Sequence, residues 1–397
     1  MAHTINQWIL PLLILLGTAN AEDVIQLSAS LEFPEPVITV HFKPGHGPYG
    51  LWIVQQSDAI HIFNREGRRE ATITASPKDV VIVSPSCRYF ALITILPDKT
   101  ASAAGQILSA RVFHHTGSSL YHHTVPFNSV FSRPHLVLTD NGSLVHADLN
   151  GSAIREVYDE TVLNKIDLSR LFPDWRAGSG LWLSAVTPDL GYYVVSSIVD
   201  SVTGAAAARV AAVSPRLKLL SRYQLSGRPQ RLFPLTGQGN AWLAFEVEEG
   251  ITQLALLGRD SVIVKRNAVP QAIYSTGDPG RALFMSRRGF QIMNWQDGMI
   301  ETGYIPQGMD RVITAAFLPG VEGYLVLYGR QRLQGENIRY GELRMDLVNK
   351  VGEVWLTRTF EGEMKYLPAI TLIDDKTVSV KTDHQVDIYT LPIQLPK

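Results

Sequence analysis

Apolar residues occur along the chain in short runs of Val, Ile, Leu, Phe and Tyr, and Gly, Pro, Asn or Asp separates one run from the next. Patterns with the period of a helix are scarce. Short apolar runs bounded by turn-forming residues are typical of β-strands in an antiparallel protein. Residues 160–172 carry the best helical pattern, and we interpret them as an insertion. The pattern therefore predicts an all-β protein.

One hairpin pattern recurs between these runs. An apolar strand end is followed by Asn, Asp or His, then by Gly and a second strand, as in residues 62–67, 112–117 and 346–352. The side chain of Asn or Asp can accept a hydrogen bond that closes the turn, and Gly readily adopts the positive φ that such turns need. The recurrence predicts repeated copies of one supersecondary unit.

The turns divide the chain after residue 21 into eight units of about 47 residues, close to the length of one β-propeller blade. The third unit takes its first strand from residues 129–132 and its last from 154–158. The last unit offers three strands, 369–373, 377–381 and 386–391, and residues 24–28 are predicted to supply the fourth. Pairing the two chain ends would remove exposed strand edges.

We therefore predict an all-β, eight-bladed β-propeller, closed by an N-terminal strand that pairs in the last blade. Seven blades is the alternative count, because the third unit is short and an insertion follows it. A pair of two-sheet sandwiches fits this many short strands poorly, since sandwich domains usually divide at about 100 residues.

Two motifs resemble those of known propeller repeats. Residues 346–355, which run from Asp346 through Gly352 to Trp355, are similar to one repeat of the PQQ-like and WD40-like β-propellers. The Ser-Pro element that leads to Tyr89 and Phe90 is similar to a strand start in other bacterial propeller repeats. The resemblance implies the architecture and no particular activity, because propellers include enzymes, scaffolds and receptors. Quinoprotein catalysis is not implied, because one unit alone matches the Trp position and the chain has a single Cys.

Residues 1–21 have the pattern of a signal peptide. An apolar stretch over residues 8–18 precedes Ala19-Asn20-Ala21, a small-x-small cleavage pattern, and Glu22 and Asp23 follow. We expect residues 22–397 to form a single propeller domain that is exported to a periplasm or to the outside. Cysteine is absent from the cleavage region, so the sequence predicts no lipoprotein anchor.

Composition narrows the classes of function. The chain has 36 Lys and Arg against 37 Asp and Glu, a net charge of −1, and this balance argues against a nucleic-acid partner. Hydrophobic residues are 45% of the chain and charged residues 18%, which suits a large core rather than disorder. After the leader, no apolar run is long enough for a membrane-spanning helix.

Four histidines of one predicted hairpin are candidate metal ligands: His114, His115, His122 and His123. With a two-residue turn centred on Gly117, residue 113 would pair with residue 122, and the four rings would divide between two faces of the hairpin. Zinc needs three or four converging ligands, so we predict no metal site. The single cysteine, Cys87, has no activating neighbour beyond Arg88, and we expect a buried thiol.

The sequence lacks the catalytic motifs that would identify an enzyme. The zinc-protease, nucleophile-elbow, phosphate-loop and dinucleotide patterns are all absent. We therefore predict no cofactor and favour a non-catalytic module that binds or scaffolds a partner. The alternative is a propeller hydrolase or lyase acting on a sugar or lactone, with Asp189, Asp278 or Asp310 as acid and base in the funnel.

A binding surface is expected on the loops that join the fourth strand of one blade to the first strand of the next. Trp and Arg in these loops combine apolar area with directed hydrogen-bond donors, the residue types that most often anchor a partner. The predicted binding residues are Trp175, Arg176, Arg228, Asp310, Arg311 and Tyr366. The partner would be a protein, or a small molecule or glycan, at this funnel face.

Overall fold

The structure is a computed structural model, and it describes the chain in 22 stretches. These are residues 26–43, 51–64, 68–84, 88–97, 106–127, 136–148, 153–173, 181–185, 191–199, 203–235, 240–248, 251–258, 262–266, 272–275, 281–286, 289–294, 300–304, 311–318, 323–335, 337–349, 351–374 and 376–391. The predicted signal peptide, residues 1–21, lies outside the described residues. Within these stretches no helix has the length and apolar character required to cross a bilayer.

The described strands form eight sheets of four strands each, which we number in chain order. The first sheet contains β2 (Thr39–Lys43), β3 (Leu51–Gln55), β4 (Ala59–Phe63) and β5 (Arg69–Thr74). The second contains β6 (Val80–Val83), β7 (Tyr89–Pro97), β8 (Gln106–His114) and β9 (Ser119–Phe127). The third contains β10 (Leu136–Leu138), β11 (Leu144–Asp148), β12 (Ala153–Tyr158) and β13 (Thr161–Asp167). The fourth contains β14 (Leu181–Ala185), β15 (Tyr192–Val199), β16 (Ala206–Val213) and β17 (Leu219–Ser226).

The remaining sheets follow the same plan. The fifth contains β18 (Arg228–Leu235), β19 (Asn240–Glu248), β20 (Ile251–Leu257) and β21 (Val262–Arg266). The sixth contains β22 (Ala272–Ser275), β23 (Arg281–Met285), β24 (Phe290–Asn294) and β25 (Ile300–Tyr304). The seventh contains β26 (Arg311–Leu318), β27 (Gly323–Gln334), β28 (Asn337–Asn349) and β29 (Val354–Phe360). The eighth contains β30 (Ala369–Leu372), β31 (Thr377–Lys381), β32 (Gln385–Thr390) and β1 (Gln26–Glu32).

Each of the first seven sheets is an antiparallel meander whose strands lie in chain order. The eighth sheet instead takes its fourth strand from the other end of the chain, because β1 pairs with β32 from Gln26 opposite Thr390 to Glu32 opposite Gln385. The predicted pairing between these two ends is therefore present. Second and third strands are buried on both faces, as in β15. In fourth strands such as β5, exposed residues alternate with partly buried ones.

Apolar clusters join each sheet to the next. One cluster packs Ile53 and Ile62 of the first sheet against Phe90 of the second. Six further clusters join each following pair of neighbouring sheets, up to the seventh and eighth. An eighth cluster packs Val386 of the eighth sheet against Trp52 of the first. The core of the molecule therefore lies between neighbouring sheets rather than within one sandwich.

A recurring irregularity marks the end of the third strand. Register shifts lie just before the turn between third and fourth strands in six sheets, which are the first, second, third, fourth, sixth and seventh. The turn that follows has the predicted chemistry in the seventh sheet, where Asn349 Oδ1 accepts the Glu353 N–H at 2.8 Å and Gly352 has a φ of 90°. Such bulges increase the local twist, which suits neighbouring sheets that pack face to face.

The interpretation of residues 160–172 as a helical insertion was wrong. Residues 161–167 form β13, the fourth strand of the third sheet, and α1 (Leu168–Leu171) is a single turn. The third sheet therefore begins at residue 136, and the strand predicted at 129–132 lies outside the described residues. This turn carries no turn motif in the sequence, because it uses Asp159 and Glu160, both at positive φ (45° and 66°), instead of the usual Asn-Gly pair.

Replacing this turn by Asn-Gly should stabilise the protein. We expect the double variant D159N/E160G to gain about 1 kcal/mol in free energy of unfolding, because Asn and Gly adopt positive φ at lower cost. Urea unfolding followed by fluorescence measures the change. Gly142 already has a positive φ of 77° in the turn between Thr139 and Ser143, so G142A should have the opposite sign. A double variant less stable than the original chain would contradict the turn assignment.

Candidate functional site

The three predicted binding residues that the structure describes lie at corresponding ends of their sheets. Arg228 is the first residue of β18 and is exposed, and Arg311 is the first residue of β26. Tyr366 precedes β30 and is half-buried. Trp175, Arg176 and Asp310 fall outside the described residues, as do Asp189 and Asp278. All three described residues therefore lie near the start of a first strand, although Arg228 and Arg311 belong to the strands themselves and not to the predicted connecting loops.

The same end of the seventh sheet carries an extended hairpin. β27 and β28 are 12 and 13 residues long, whereas β7, β8 and β19 are nine. Residues 330–334 and 337–341 continue beyond the last pairs with β26 and β29, which are Arg311–Gly329 and Leu343–Phe360. We call this extension the arm. Antiparallel pairing puts the arm at the end where β26 begins.

A β-bulge sets the base of the arm. The register between β27 and β28 shifts between Tyr328 and Arg330, and Glu342 has a φ of 53°. A Cβ atom on Gly329 would lie 2.9 Å from the Gly341 carbonyl oxygen and 2.8 Å from the Leu343 side chain. Glycine is therefore required at position 329, and the bulge turns the arm away from the plane of the sheet.

Arg311 contacts the arm directly. Its Nη1 donates to the side-chain oxygen of Gln331, and Gln331 Nε2 donates to the Tyr340 hydroxyl at 3.3 Å. Sequence reasoning selected Arg311 but assigned residues 329–341 to no strand. Residues 330–334 contain a single apolar residue, Leu333, so the available signal was limited to Gly335 and the alternating Ile338 and Tyr340 that follow it.

The segment 361–368, which we call the collar, connects β29 to β30 and holds the arm from one side. Tyr340 and Met364 exchange two backbone hydrogen bonds, of 2.9 and 2.7 Å. The carboxylate of Asp383 then accepts the backbone N–H groups of Lys365 and Tyr366, at 2.5 and 2.9 Å. These bonds tie the arm of the seventh sheet to the turn between β31 and β32 in the eighth.

The contacts continue into the first sheet. The carbonyl oxygen of His384 accepts the Phe33 N–H at 2.8 Å, and that of Asp383 accepts the Val37 N–H. Gln56 Nε2 donates to the carbonyl oxygen of Glu35 at 2.5 Å. We call the collar, residues 382–384 and residues 33–38 together the rim. It is a hydrogen-bonded path that spans the seventh, eighth and first sheets.

His61 supports the rim from the first sheet. Its Nε2 lies 2.6 Å from Gln56 Oε1 and its Nδ1 lies 3.1 Å from the Thr72 hydroxyl. Burial lowers the pKa of His61, the positive charge of Arg69 lowers it further, and Asp58 opposes both. Folding therefore favours the neutral form of the imidazole. The hydrogen bond to this ring positions the Gln56 amide beside the rim.

A buried lysine lies beneath the collar. Lys381 is 2% exposed, and its Nζ donates to the Leu367 carbonyl oxygen at 2.8 Å. The Tyr366 ring centroid is 5.9 Å from that Nζ. Burial lowers the pKa of Lys381 to about 8, although the negative charge of Asp383 acts in the opposite direction. Tyr366 therefore caps a cation that holds the collar in place.

Lys381 should make stability depend on pH. In the unfolded chain its pKa returns to the ordinary 10.5, so between about pH 8 and 10.5 the unfolded state binds more protons and stability rises with pH. Relative to K381M, the original protein should gain about 2 kcal/mol in free energy of unfolding between about pH 7 and 9.5. Urea unfolding at both pH values measures this. The buried Tyr121, Tyr192 and Tyr389 have pKa values raised by burial, so their ionisation stays outside this range.

The matched control is the exposed neighbour Lys365. K365M changes an exposed collar lysine and leaves Lys381 in place, so it should keep the pH dependence of the original chain. If K381M and the original chain showed the same dependence, the lowered pKa of Lys381 would be refuted.

The histidine hairpin has a different register from the one expected. Arg111, not Phe113, pairs with His122, and the His114 N–H bonds to the Ser118 carbonyl around a three-residue turn. A bulge and the positive φ of Gly117 (85°) account for the longer turn. The predicted two-residue turn was therefore wrong.

The four histidine rings do not form the pairs expected from a two-residue turn. The His114 and His115 ring centroids lie 4.1 Å apart, whereas His123 lies 5.6 Å from His146 of the third sheet. His122 Nε2 lies 2.8 Å from the Ser109 hydroxyl. Among the described residues, no group of three or more His, Cys, Asp or Glu is arranged to hold a metal ion. These rings pack in pairs at the junction of the second and third sheets and at the second sheet's turn.

Buried carboxylates recur on third strands, and sequence reasoning missed them. Asp346 accepts the Tyr328 and Thr357 hydroxyls at 2.6 and 2.7 Å. Asp387 and Glu156 likewise accept hydrogen bonds from side chains of the neighbouring fourth strand. Asp387, for example, accepts the Ser30 hydroxyl at 2.7 Å. Asp346 and Glu156 each lie three residues before the first residue of the following turn, Asn349 and Asp159, a spacing that could have revealed these two. Because hydroxyl and amide donors inside the sheets bind them, these carboxylates act as structural groups rather than as acids or bases.

Comparison with solved structures gives the same architecture. A crystal structure of the eukaryotic initiation factor superposes with a TM-score of 0.52 at 12% identity, covering 84% of this chain and 90% of that one. The C-terminal WD40 domain of Sif2 superposes with a TM-score of 0.51 at 10% identity, covering 94% and 99%. No protein-family model matches the sequence, and no curated protein matches it as a relative. The chain has a β-propeller fold similar to that of a WD40 domain, and at these identities the likeness concerns the fold alone.

Proposed function

We propose that the eight sheets are the blades of one closed, eight-bladed propeller and that the chain is an exported module that binds a protein partner. The pairing of β1 with β32 and the apolar cluster between the eighth and first sheets support closure. In a closed ring, the ends where first strands begin form one face. Arg228, Arg311, Tyr366 and the arm would then share that face.

The observation that carries the binding function is the rim with its projecting arm. Backbone hydrogen bonds fix the collar to the arm at Tyr340 and to the eighth sheet at Asp383, so the surface is ordered before a partner arrives. A preorganised surface loses less conformational entropy on binding. The likeness to a WD40 domain supports the proposal, since propellers of this architecture present loops on one face for recognition.

A photo-crosslinking experiment tests which face binds. A benzoylphenylalanine residue placed at Arg228 or Lys365 should give a covalent adduct with a protein partner in the producing cells. The same residue at Ser118 or Val351, which are exposed at the opposite ends of the second and seventh sheets, should give none. Adducts from Ser118 and Val351 alone would show that the partner uses the other face, and adducts from no position would refute a protein-binding function.

The predicted anchors can be tested together. The triple variant W175A/R176A/R311A should weaken capture of the crosslinked partner while the midpoint of thermal unfolding stays within about 3 °C of the original protein. A Trp and two Arg supply the apolar area and directed donors that typically anchor a partner. Unchanged capture would refute the choice of these anchors.

Export is tested by sequencing the N-terminus of the mature protein. Cleavage after Ala21 gives a chain that begins at Glu22 and is recovered outside the cytoplasm. A chain that keeps Met1 and stays with the cytoplasmic fraction would refute export and leave the binding proposal untouched.

A further inference from the structure

Among the fourth strands whose burial the structure describes, β1 is the most exposed. Six of its seven residues are exposed, and Leu31 is half-buried. The fourth strand of the fourth sheet, β17, instead has a buried or half-buried side chain at every second position. β1 therefore buries little apolar area, and its attachment to the eighth sheet depends mainly on backbone pairing with β32.

Two hydroxyl contacts accompany this pairing. Ser28 Oγ lies 2.6 Å from Thr390 Oγ1. Ser30 Oγ donates to Asp387 Oδ1 at 2.7 Å, and the other oxygen of this carboxylate accepts the Tyr389 hydroxyl at 2.9 Å. β32 is also paired with β31 on its other side. Detachment of β1 would therefore leave β32 in its sheet and Asp387 with a hydrogen bond.

A short segment after β1 attaches it to the eighth and first sheets. We call β1 and this segment, residues 26–36, the latch. Phe33 is buried, and its N–H donates to the carbonyl oxygen of His384, between β31 and β32. Its ring meets the Phe63 ring of the first sheet edge to face, with 5.9 Å between the centroids. Phe33 is therefore the main apolar anchor of the latch.

The buried side chain of His61 lies against the latch. Its ring centroid is 6.3 Å from that of Phe33. Gln56 connects the same imidazole to a second latch residue, because its Oε1 lies 2.6 Å from His61 Nε2 and its Nε2 donates to the Glu35 carbonyl oxygen. The latch therefore covers this imidazole with Phe33 and is held through it at Glu35.

The latch ends before Val37, which has its own attachments. Val37 is buried, and its N–H donates to the Asp383 carbonyl oxygen. The N–H of Ile38 donates to the Gln55 carbonyl oxygen at 2.7 Å. Val37 also packs with Val386 in the cluster between the eighth and first sheets. These contacts do not use the latch, so the two sheets can stay packed while it detaches.

A proton on His61 opposes the closed latch. Burial lowers the pKa of His61 most, the positive charge of Arg69 lowers it further, and Asp58 raises it. The Arg69 guanidinium already lies over the Phe63 ring, 5.6 Å from its centroid, so an imidazolium would meet a like charge there. Opening the latch uncovers the imidazole to water, so the open latch binds a proton more readily than the closed one. β5, the latch and the turn between β31 and β32 also carry Glu70, Glu32, Glu35, Asp383 and His384.

We propose that protonation of His61 releases the latch, so that acid detaches residues 26–36 while the eighth and first sheets stay packed. The inference goes beyond the proposed binding function, because it concerns the response of the chain to pH and needs no partner. Opening the latch removes residues 33–36 from the rim, so acid would also change the surface that the proposed function uses.

Hydrogen exchange of the full-length mature chain at about pH 7.5 and about pH 5.5 tests the proposal, with protection factors corrected for the intrinsic exchange rate. Protection of the latch amides should fall about threefold or more at the lower pH. The ordinary His pKa of 6.5 sets a ceiling of about tenfold for a single proton. Amides of β3 and β17 should keep their protection within about twofold.

Two pairs of variants identify the group that takes up the proton. H61Q should remove the pH response of the latch, whereas H123Q should keep it, although burial also lowers the pKa of His123. R69Q should weaken the response, because it removes a charge that opposes protonation of His61. R68Q, at the neighbouring exposed position, should not. R69Q and R68Q leave His61 in place, so they decide the matter even if circular dichroism shows that H61Q fails to fold.

A reversible crosslink shows that the response is detachment of β1. In a C87S background, S28C/T390C places two thiols where the paired hydroxyls lie, and the oxidised form should keep the latch protected at about pH 5.5. Reduction should restore the response. Equal latch protection of the original chain at both pH values would overturn the proposal, as would an unchanged response in R69Q. Equal loss of protection in β3 would also overturn it, because the two sheets would then separate as a whole.

Discussion

V386D should destabilise the protein by roughly 4 kcal/mol, because it places a carboxylate in the apolar cluster that joins the last sheet to the first. Val386 is 0% exposed, and it pairs with Leu31 of β1 on one side and Lys381 of β31 on the other. The same cluster contains Trp52 of the first sheet. The charge should therefore weaken the packing between the eighth and first sheets, on which the proposed ring depends. Urea unfolding measures the loss of stability.

Hydrogen exchange locates the effect. In V386D, amides of β3 and of β31 should lose protection together, because the two sheets share one cluster. V354D, at a 44% exposed position of β29, should change stability by less than about 0.5 kcal/mol. If β31 lost protection while β3 kept all of it, the eighth and first sheets would not be coupled and the closed ring would be refuted.

D346A should lower the free energy of unfolding by roughly 2 kcal/mol, because it leaves the buried Tyr328 hydroxyl without its acceptor and removes the bond from the more exposed Thr357 hydroxyl. Asp346 is 2% exposed and accepts hydrogen bonds from Tyr328 and Thr357. The three side chains join the second, third and fourth strands of the sheet that carries the arm. Thermal and urea unfolding measure the loss.

Two further variants show whether the hydroxyl contacts are the cause. Y328F/D346A should lose less than the sum of the two single variants, since each removes the same hydrogen bond. E361A, at an exposed collar position, should be close to neutral. Additive losses in the double variant would mean that the Tyr328 contact contributes nothing.

Strand positions were predictable because they depend on local pattern. The predicted strand at residues 51–55 coincides with β3, and the pairing of the N-terminal segment with the last unit follows from one missing strand in that unit. The Asx turn at Asn349 was also predicted, because the side chain bonds to backbone only four residues away. Each of these features depends on neighbours in the sequence or on a count of strands.

Two elements escaped sequence reasoning for physical reasons. The turn at Asp159 and Glu160 adopts positive φ without glycine, so β13 lacked its usual marker and was taken for a helix. The arm consists mostly of polar residues, because a hairpin beyond its sheet has no core to face, and its strands therefore lacked an apolar pattern. Arg311 was selected by residue type, but its contact with Gln331 required the arm.

The strand-and-turn repeat, the four-stranded unit and the matching of the two chain ends could be predicted from the residues alone, since period and turn chemistry are local properties of a chain. The packing of the sheets was needed to show that Tyr340, Met364, Asp383 and Glu35 belong to one connected rim, and that Arg311 contacts the arm through Gln331. Those contacts join residues from three sheets and from both ends of the chain, and their distances depend on how the sheets pack rather than on spacing along the sequence.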